Sequence, residues 1–334
     1  MHKVILYYKY INIKDPQAAV KQQKALCASL DLKGRILIAS EGINGTLEGT
    51  EENILKYCEE FNSNPLFNTP DEKRTEKISL DYGQYGNEKK LTAIFAANVK
   101  IKVSDSPGKA FRKLIVKERS EIVTSHLPKE IEPNSITGKY LTAEELHDWY
   151  ENKREFYIVD MRNDYETNVG YFENSIASQI GNFRYLPEVL EKIEHLKDKT
   201  IVTVCTGGVR CEKASGFLMY NGFKDVYQLK DGIVTYMEKF PNEHFKGKLY
   251  VFDKRFLVGF NTSDPKHEVV GKCYKCKTTC ENFVNCSYDE CHYHFICCDN
   301  CKQNGKAFCS MKCKRIIFSK NLWANLLEKI WIKI

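Results

Sequence analysis

The sequence lacks any run of about 18 apolar residues, the length a helix needs to cross a bilayer, so no membrane span is expected. Its first residues, MHKVILYYKYINIKDP, carry too short an apolar stretch and no small-residue cleavage site, and are not expected to be a secretory signal. No internal repeat or low-complexity tract is evident. Hydrophobic residues make up 43% and charged residues 28%, which excludes a collagen-like or wholly disordered chain. Neither an ATP-binding glycine loop, a dinucleotide-binding fingerprint nor a flavin signature occurs, and no iron-binding facial triad can be picked out. Cysteine is sparse over most of the chain: of 14, only Cys27, Cys58, Cys205 and Cys211 precede position 273. The other ten crowd into 273–313. The expected setting is a reducing cytoplasm, where clustered cysteines bind metal more often than they pair.

At roughly 100–200 residues per domain, 334 residues imply two or three domains. Residues 1–100 alternate strand and helix. Val4–Tyr10 reads as a strand, Asp15-Pro16 opens a helix to about Leu30, and 34–39 and the segment after EGINGT (41–46) read as strands. Thr50 starts a second helix, and Ile78–Tyr82 and Leu91–Val99 are further strands. That order matches a ferredoxin-like α+β unit, a scaffold that fixes no chemistry. Residues 101–136 read as a basic linker. A second α/β pattern over 137–245 has a capping box at Thr142 to Glu145 and strands ending at Asp160 and Cys205, implying a parallel sheet with its site at the strand ends. Residues 246–334 form a cysteine-rich module, with a hairpin over 248–260 and a helical apolar stripe from Leu322 to Ile334.

The net charge of +6 is uneven. Seven basic residues against two acidic ones lie between Lys100 and Arg119, and eight against one from 302 onward. Such stretches suit a polyanion, RNA or DNA first, although a solvated lysine-rich face is the alternative. Lys109, Arg112 and Lys113, with Arg162 at a strand end, are the candidate substrate-binding residues.

The segment VTVCTGGVRCEKA (202–214) is the most informative. A buried strand delivers Cys205 into a loop with Gly207 and Gly208, followed by a helix. Inward backbone N–H groups, the helix N-terminus and Arg210 all favour thiolate over thiol, which prepares a nucleophile. Four residues separate Cys205 from Arg210, one fewer than in the phosphate-wrapping loops of cysteine phosphatases. The smaller cradle suits a persulfide sulfur or another small group. Cys211 either resolves a disulfide with Cys205 or packs in the core.

Near the C-terminus the pairs are Cys273 and Cys276, Cys286 and Cys291, Cys298 and Cys301, Cys309 and Cys313. Close pairs at turns place two thiolates on one tetrahedral ion, as in structural zinc sites, so the eight would fill two sites. Sequential and cross-braced pairings both remain open. Cys280 and Cys297 are left over, and His292 and His294 are possible substitute ligands.

Residues 137–245 resemble a rhodanese domain, through Asp160-Met-Arg162, Tyr165-Glu166, GYFENSI (170–176), the Cys205 loop and GFKDVYQLKDGI (222–233). Tyr171 stands where His is common and Asp231 where Gly is common. Together, EGINGT in a ferredoxin-like N-terminus, RNDYE (162–166), CTGGVRCEKA (205–214) and the cysteine-rich C-terminus are similar to the bacterial oxygen-dependent tRNA uridine hydroxylase family over nearly the full length. The resemblance implies hydroxylation at C5 of the wobble uridine in the tRNA anticodon, giving 5-hydroxyuridine, with molecular oxygen as co-substrate. It also implies that Cys205 is the essential cysteine and a persulfide carrier. Two other functions compete: a sulfurtransferase working through Cys205, and a zinc-containing RNA- or protein-binding adaptor without catalysis. The additional domains count against the first, the intact Cys205 loop against the second.

Overall fold

The computed structural model describes residues 1–67, 79–85, 88–291, 293–302 and 305–319. Its N-terminal part runs β1 (His2–Tyr10), α1 (Pro16–Ser29), β2 (Lys33–Ala39), β3 (Gly42–Thr50), α2 (Glu51–Ser63), β4 (Ser79–Tyr85), β5 (Glu88–Ala96), β6 (Val99–Ser106) and β7 (Leu114–Glu118). Local chemistry sets the helix starts. The Asp15 carboxylate accepts from the Ala18 N–H with Pro16 in the first turn, and the Thr50 hydroxyl accepts from the Asn53 N–H. The strands form one sheet in the order β4-β5-β6-β1-β3-β2-β7. Ile5, Tyr7, Ile36, Ile38, Ile43 and Leu47 turn to a core shared with Ile54, Tyr57 and Phe61 of α2. Period-two alternation puts Leu6, Tyr8 and Tyr10 on the opposite face of β1.

The first half of the expected linker over 101–136 is sheet. Ile101 and Val103 are buried and alternate with Lys102 and Ser104, so 101–106 complete β6, and 114–118 pair in parallel with β2 as β7. The inner strands β6-β1-β3-β2 with α1 and α2 make the ferredoxin-like unit, while β4 and β5 widen its sheet. Its closing strand is therefore β6, and the expected boundary at residue 100 falls inside it. The expected strand start at Ile78 lies outside the described residues.

The second part runs β8 (Lys139–Leu141), α3 (Ala143–Glu151), β9 (Tyr157–Asp160), α4 (Asp164–Thr167), β10 (Gly170–Phe172), β11 (Ile176–Ala177), α5 (Val189–Ile193), β12 (Thr200–Val204), α6 (Val209–Tyr220), β13 (Asp225–Leu229), α7 (Gly232–Lys239) and β14 (Phe245–Gly247). The Thr142–Glu145 capping box starts α3. A five-stranded parallel sheet, β11-β9-β12-β13-β8, lies between two apolar clusters, one around Leu186, Phe217 and Leu218 and one around Leu146, Trp149 and Tyr236.

The C-terminal part has short hairpins, β15 (Leu249–Tyr250) with β16 (Leu257–Val258) and β17 (Phe283–Asn285) with β18 (His294–Ile296). It is tied to the second part through Val169, Tyr250 and Ile296. The apolar stripe from Leu322 to Ile334 and the candidate ligand His292 lie outside the described residues. No helix among the described residues is long and apolar enough to cross a membrane.

Candidate active site and cysteine clusters

Strand β12 ends at Val204, and Cys205 begins the turn into α6. Two hydrogen bonds from the start of α7 fix this turn: Ile233 N–H to Cys205 O at 2.9 Å and Val234 N–H to Thr206 O at 3.1 Å. With its carbonyls engaged outward, the loop turns N–H groups inward, and Gly208 donates to Cys205 Sγ at 3.2 Å. Gly208 has φ +102°, and a side chain there would meet the Tyr8 hydroxyl. At Gly232 a Cβ would lie 2.6–2.7 Å from the backbone of Gly207 and Gly208, so α7 approaches this closely only as glycine.

Cys205 is fully buried. Burial opposes its ionisation, but the Cys211 thiol, the Arg210 guanidinium and the backbone N–H groups of 210 and 211 outweigh it and hold the thiol at about 6. Cys211 is pushed well above its ordinary range, first by burial and then by Cys205, so it stays protonated and donates to its neighbour. Arg210 makes two bonds to Glu166, at 2.6 and 2.7 Å, and one to the Thr206 hydroxyl at 3.3 Å. Glu166 is wholly buried; despite that burial, the Arg210 charge keeps its carboxyl below the ordinary range. Arg210 thus acts on Cys205 through its field, while its donors hold a carboxylate.

The N-terminal sheet covers the loop. Tyr10 donates to Val209 O at 3.1 Å and Tyr8 to Glu212 at 3.0 Å. Lys102, 5% exposed, donates to Gly207 O at 3.1 Å and pairs with Asp231 at 3.3 Å. Asp231 sits at φ +64°, the left-handed conformation that favours the glycine common at this position, and its carboxylate partners this lysine.

Of the expected substrate-binding residues, the structure brings none to the loop surface. Arg162 is fully buried; it grips Asp160 at 2.6–3.1 Å and donates to Gly170 O at 2.7 Å. It braces the end of β9 and offers a substrate no surface. Lys109, Arg112 and Lys113 are exposed on the β6–β7 loop. The β1–β6 register places Ser106 opposite His2 and Lys102 opposite Leu6, so that loop leaves the end of β1 remote from Tyr8 and Tyr10.

The late cysteines form two sets, Cys273, Cys276, Cys298 and Cys301, and Cys286, Cys291, Cys309 and Cys313. Within each set the ligand atoms lie within 4.8 Å of one another, so each could hold a metal ion. First pairs with third and second with fourth: the arrangement is cross-braced. Cys280 and Cys297 stand outside both sets, and His294 packs against Tyr165 at 4.8 Å between ring centroids. A third convergent group, His147, Glu151 and His244, was not legible as a triad in the sequence because its members are 97 positions apart at most (147 to 244). It lies at the far end of α7 from the Cys205 loop, where His147 stacks on Phe240.

Three family profiles match the chain: the UPF0176 acylphosphatase-like domain over 2–122, the rhodanese-like domain over 142–239 and the rhodanase C-terminal domain over 246–314. A protein of Bacillus licheniformis named tRNA uridine(34) hydroxylase is 38% identical over 327 residues, 97% of this chain and 91% of its own. One of the same name from Cytophaga hutchinsonii is 37% identical over 313 residues, 94% of this chain and 90% of its own. The chain belongs to this tRNA uridine(34) hydroxylase family. Among solved structures, a rhodanese-like domain protein from Staphylococcus aureus is 28% identical, covering 29% of this chain and 90% of that one, with a TM-score of 0.26.

Within this member of the hydroxylase family, sequence reasoning missed Glu166, Tyr8, Tyr10 and Lys102 as parts of the site. The alternation of Leu6, Tyr8 and Tyr10 along β1 was the available signal, since three same-face positions on a central strand must meet something.

Proposed function

We propose that the protein hydroxylates C5 of the wobble uridine of tRNA, giving 5-hydroxyuridine in an oxygen-dependent reaction with Cys205 as nucleophile. One observation favours this over sulfur transfer. Both cations at the loop are matched by carboxylates, Arg210 by Glu166 and Lys102 by Asp231. These partners leave neither cation free to pair with an anionic sulfur donor such as thiosulfate, whereas a neutral uracil ring requires no such pairing. The depressed thiol pKa at Cys205 disfavours a silent adaptor, which needs no thiolate.

In this reading Cys205 Sγ adds to C6 of the ring, and the C5–C6 π electrons move to C5 and the O4 carbonyl. C5 takes one oxygen from a donor at the peroxide level, formed from O2 with two electrons and two protons from outside the protein. The second oxygen leaves as water with the C5 proton. Departure of Sγ restores the double bond, assisted by the Gly208 N–H and Cys211 thiol that favour the thiolate. A persulfide on Cys205 would attack in the same way. The Gly207 and Gly208 loop and Arg210 provide the positive field that favours the anionic states.

The cysteine sets suit zinc. Sulfur separations of 3.5–3.6 Å approach the roughly 3.8 Å edge of a tetrahedron with Zn–S bonds of about 2.3 Å. Four thiolates fill each ion's coordination, so both ions would be structural. Lys109, Arg112 and Lys113 would contact phosphates of the tRNA outside the anticodon. A cytoplasmic enzyme fits both the substrate and the reduced thiols.

Nucleoside mass spectrometry of tRNA from a deletion strain tests the reading. Complementation with the wild type should restore 5-hydroxyuridine, and with Cys205→Ser should not. Restoration by Cys205→Ser would sink the nucleophile role; no change with either would leave sulfur transfer as the better account.

A further inference from the structure

Cys205 is fully buried, so a base can reach Sγ only by passing through one of the walls around the loop. One wall has a large space behind it. Between the N-terminal sheet and α3, α7 and β8 lies a cleft of about 830 Å³, within the range of ligand-binding clefts. Tyr8, Lys102 and Asp231 line this cleft; Tyr8 stands over Gly208 of the Cys205 loop, Lys102 donates to Gly207 O, and Asp231 pairs with Lys102. They stand between the cleft and the outer face of the loop.

The cleft also has features that suit unpaired nucleotides. Two aromatic rings stand exposed on opposite walls, Tyr140 of β8 at 53% and Phe95 of β5 at 41%. The Tyr140 hydroxyl is pinned by Glu212 at 3.0 Å, which fixes the ring's orientation while more than half of the residue remains accessible. Lys100 and Lys230 add ammonium groups to the lining. Aromatic platforms beside lysines are the means by which proteins hold single strands without reading sequence. Chemistry on one base further requires that base to leave its stack, and a pocket behind a movable ring accommodates one that has been swung out.

We propose that this cleft is the entry site for a single-stranded RNA loop, with Tyr140 and Phe95 stacking on the nucleotides that flank the target uridine and Tyr8, Lys102 and Asp231 yielding to admit the target base to Cys205. The inference rests on the tRNA reading above for the identity of the target and names where that substrate binds. Tyr140 and Phe95 are positioning residues. They hold the neighbours of the reacting base and touch no reacting atom.

The test uses the full-length protein and a synthetic anticodon stem-loop RNA carrying an unmodified wobble uridine. Fluorescence anisotropy gives its Kd, and nucleoside mass spectrometry gives its conversion. Tyr140→Ala and Phe95→Ala should each weaken binding roughly tenfold. Tyr140→Phe should bind as the wild type, because the ring and not the hydroxyl is the platform. Tyr185→Ala, an exposed tyrosine outside the cleft, should change Kd less than about twofold. Thermal midpoints close to that of the wild type would show that the variants fold. If the wild type converts the RNA and both alanine variants bind it normally, the cleft assignment is overturned. If the wild type, supplied with hydrogen peroxide as the peroxide-level oxygen donor, binds through the cleft residues but forms no 5-hydroxyuridine, the hydroxylation reading falls and the cleft stands. If the wild type binds no RNA at all, both fall.

Discussion

Cys205 and Cys273 are both thiols drawn down to about 6, and they are built for different ends. At each, burial pushes up and local donors win. Around Cys205 these are one protonated thiol, a guanidinium and two backbone N–H groups; around Cys273 they are the backbone N–H groups of 276, 298 and 275, then the Cys276 thiol. What separates the two is the company. Cys205 has a single thiol neighbour, fully buried, in a loop locked by α7. Cys273 has three further thiols within 4.8 Å, drawn from segments that only the cross-brace joins. An acidified thiol is therefore no sign of a nucleophile by itself. A lone thiolate beside fixed charges has the setting of a reactive group, and one among four that of a ligand.

That contrast can be broken from either side. The largest expected effect is at Cys205: replacing it with Ser should reduce 5-hydroxyuridine to background while leaving metal content at two ions per chain. Conversely, Cys298→Ser should lower metal content from two ions to one and loosen the C-terminal module. Metal analysis with limited proteolysis checks this, since structural zinc contributes on the order of 10–16 kcal/mol to such folds. Glu166→Gln should destabilise the protein by about 3–5 kcal/mol, because it leaves the buried Arg210 guanidinium without its carboxylate. Chemical denaturation measures the loss. The same change removes a negative charge near Cys205, so any surviving fold should show a still lower thiol pKa. The smallest effect belongs to Cys280→Ser: it lies outside both metal sets, and two ions should remain.

What was legible in the sequence was what is local. The Cys205 loop could be read because strand, two glycines and Arg210 lie within a dozen residues, and each pair of late cysteines is a near neighbour in the chain. Which pairs share an ion was not legible, because that depends on the chain folding back through β17 and β18. Lys102 looked like one member of a solvated basic stretch, yet it is buried, and its half-buried partner Asp231 is over a hundred positions on. Arg162 looked available for the opposite reason. Its partner Asp160 is two residues away, but the burial that excludes a substrate comes from packing that includes Gly170 and Phe245. Lys109, Arg112 and Lys113 read as substrate-binding residues from their basic stretch; they are exposed, and only the fold shows that they stand at the end of β1 far from the loop.

The central claim is that Cys205 is a thiolate at neutral pH because of its loop. Thiolate ultraviolet absorbance of the wild type minus that of Cys205→Ser, followed against pH, measures it without requiring access to the buried sulfur. A group whose pKa is depressed gains its charge as pH rises through the lowered value. The difference should therefore grow through about pH 6 and be nearly complete by pH 7. An inflection at about 8.5 or above, as for an ordinary cysteine, would contradict the account.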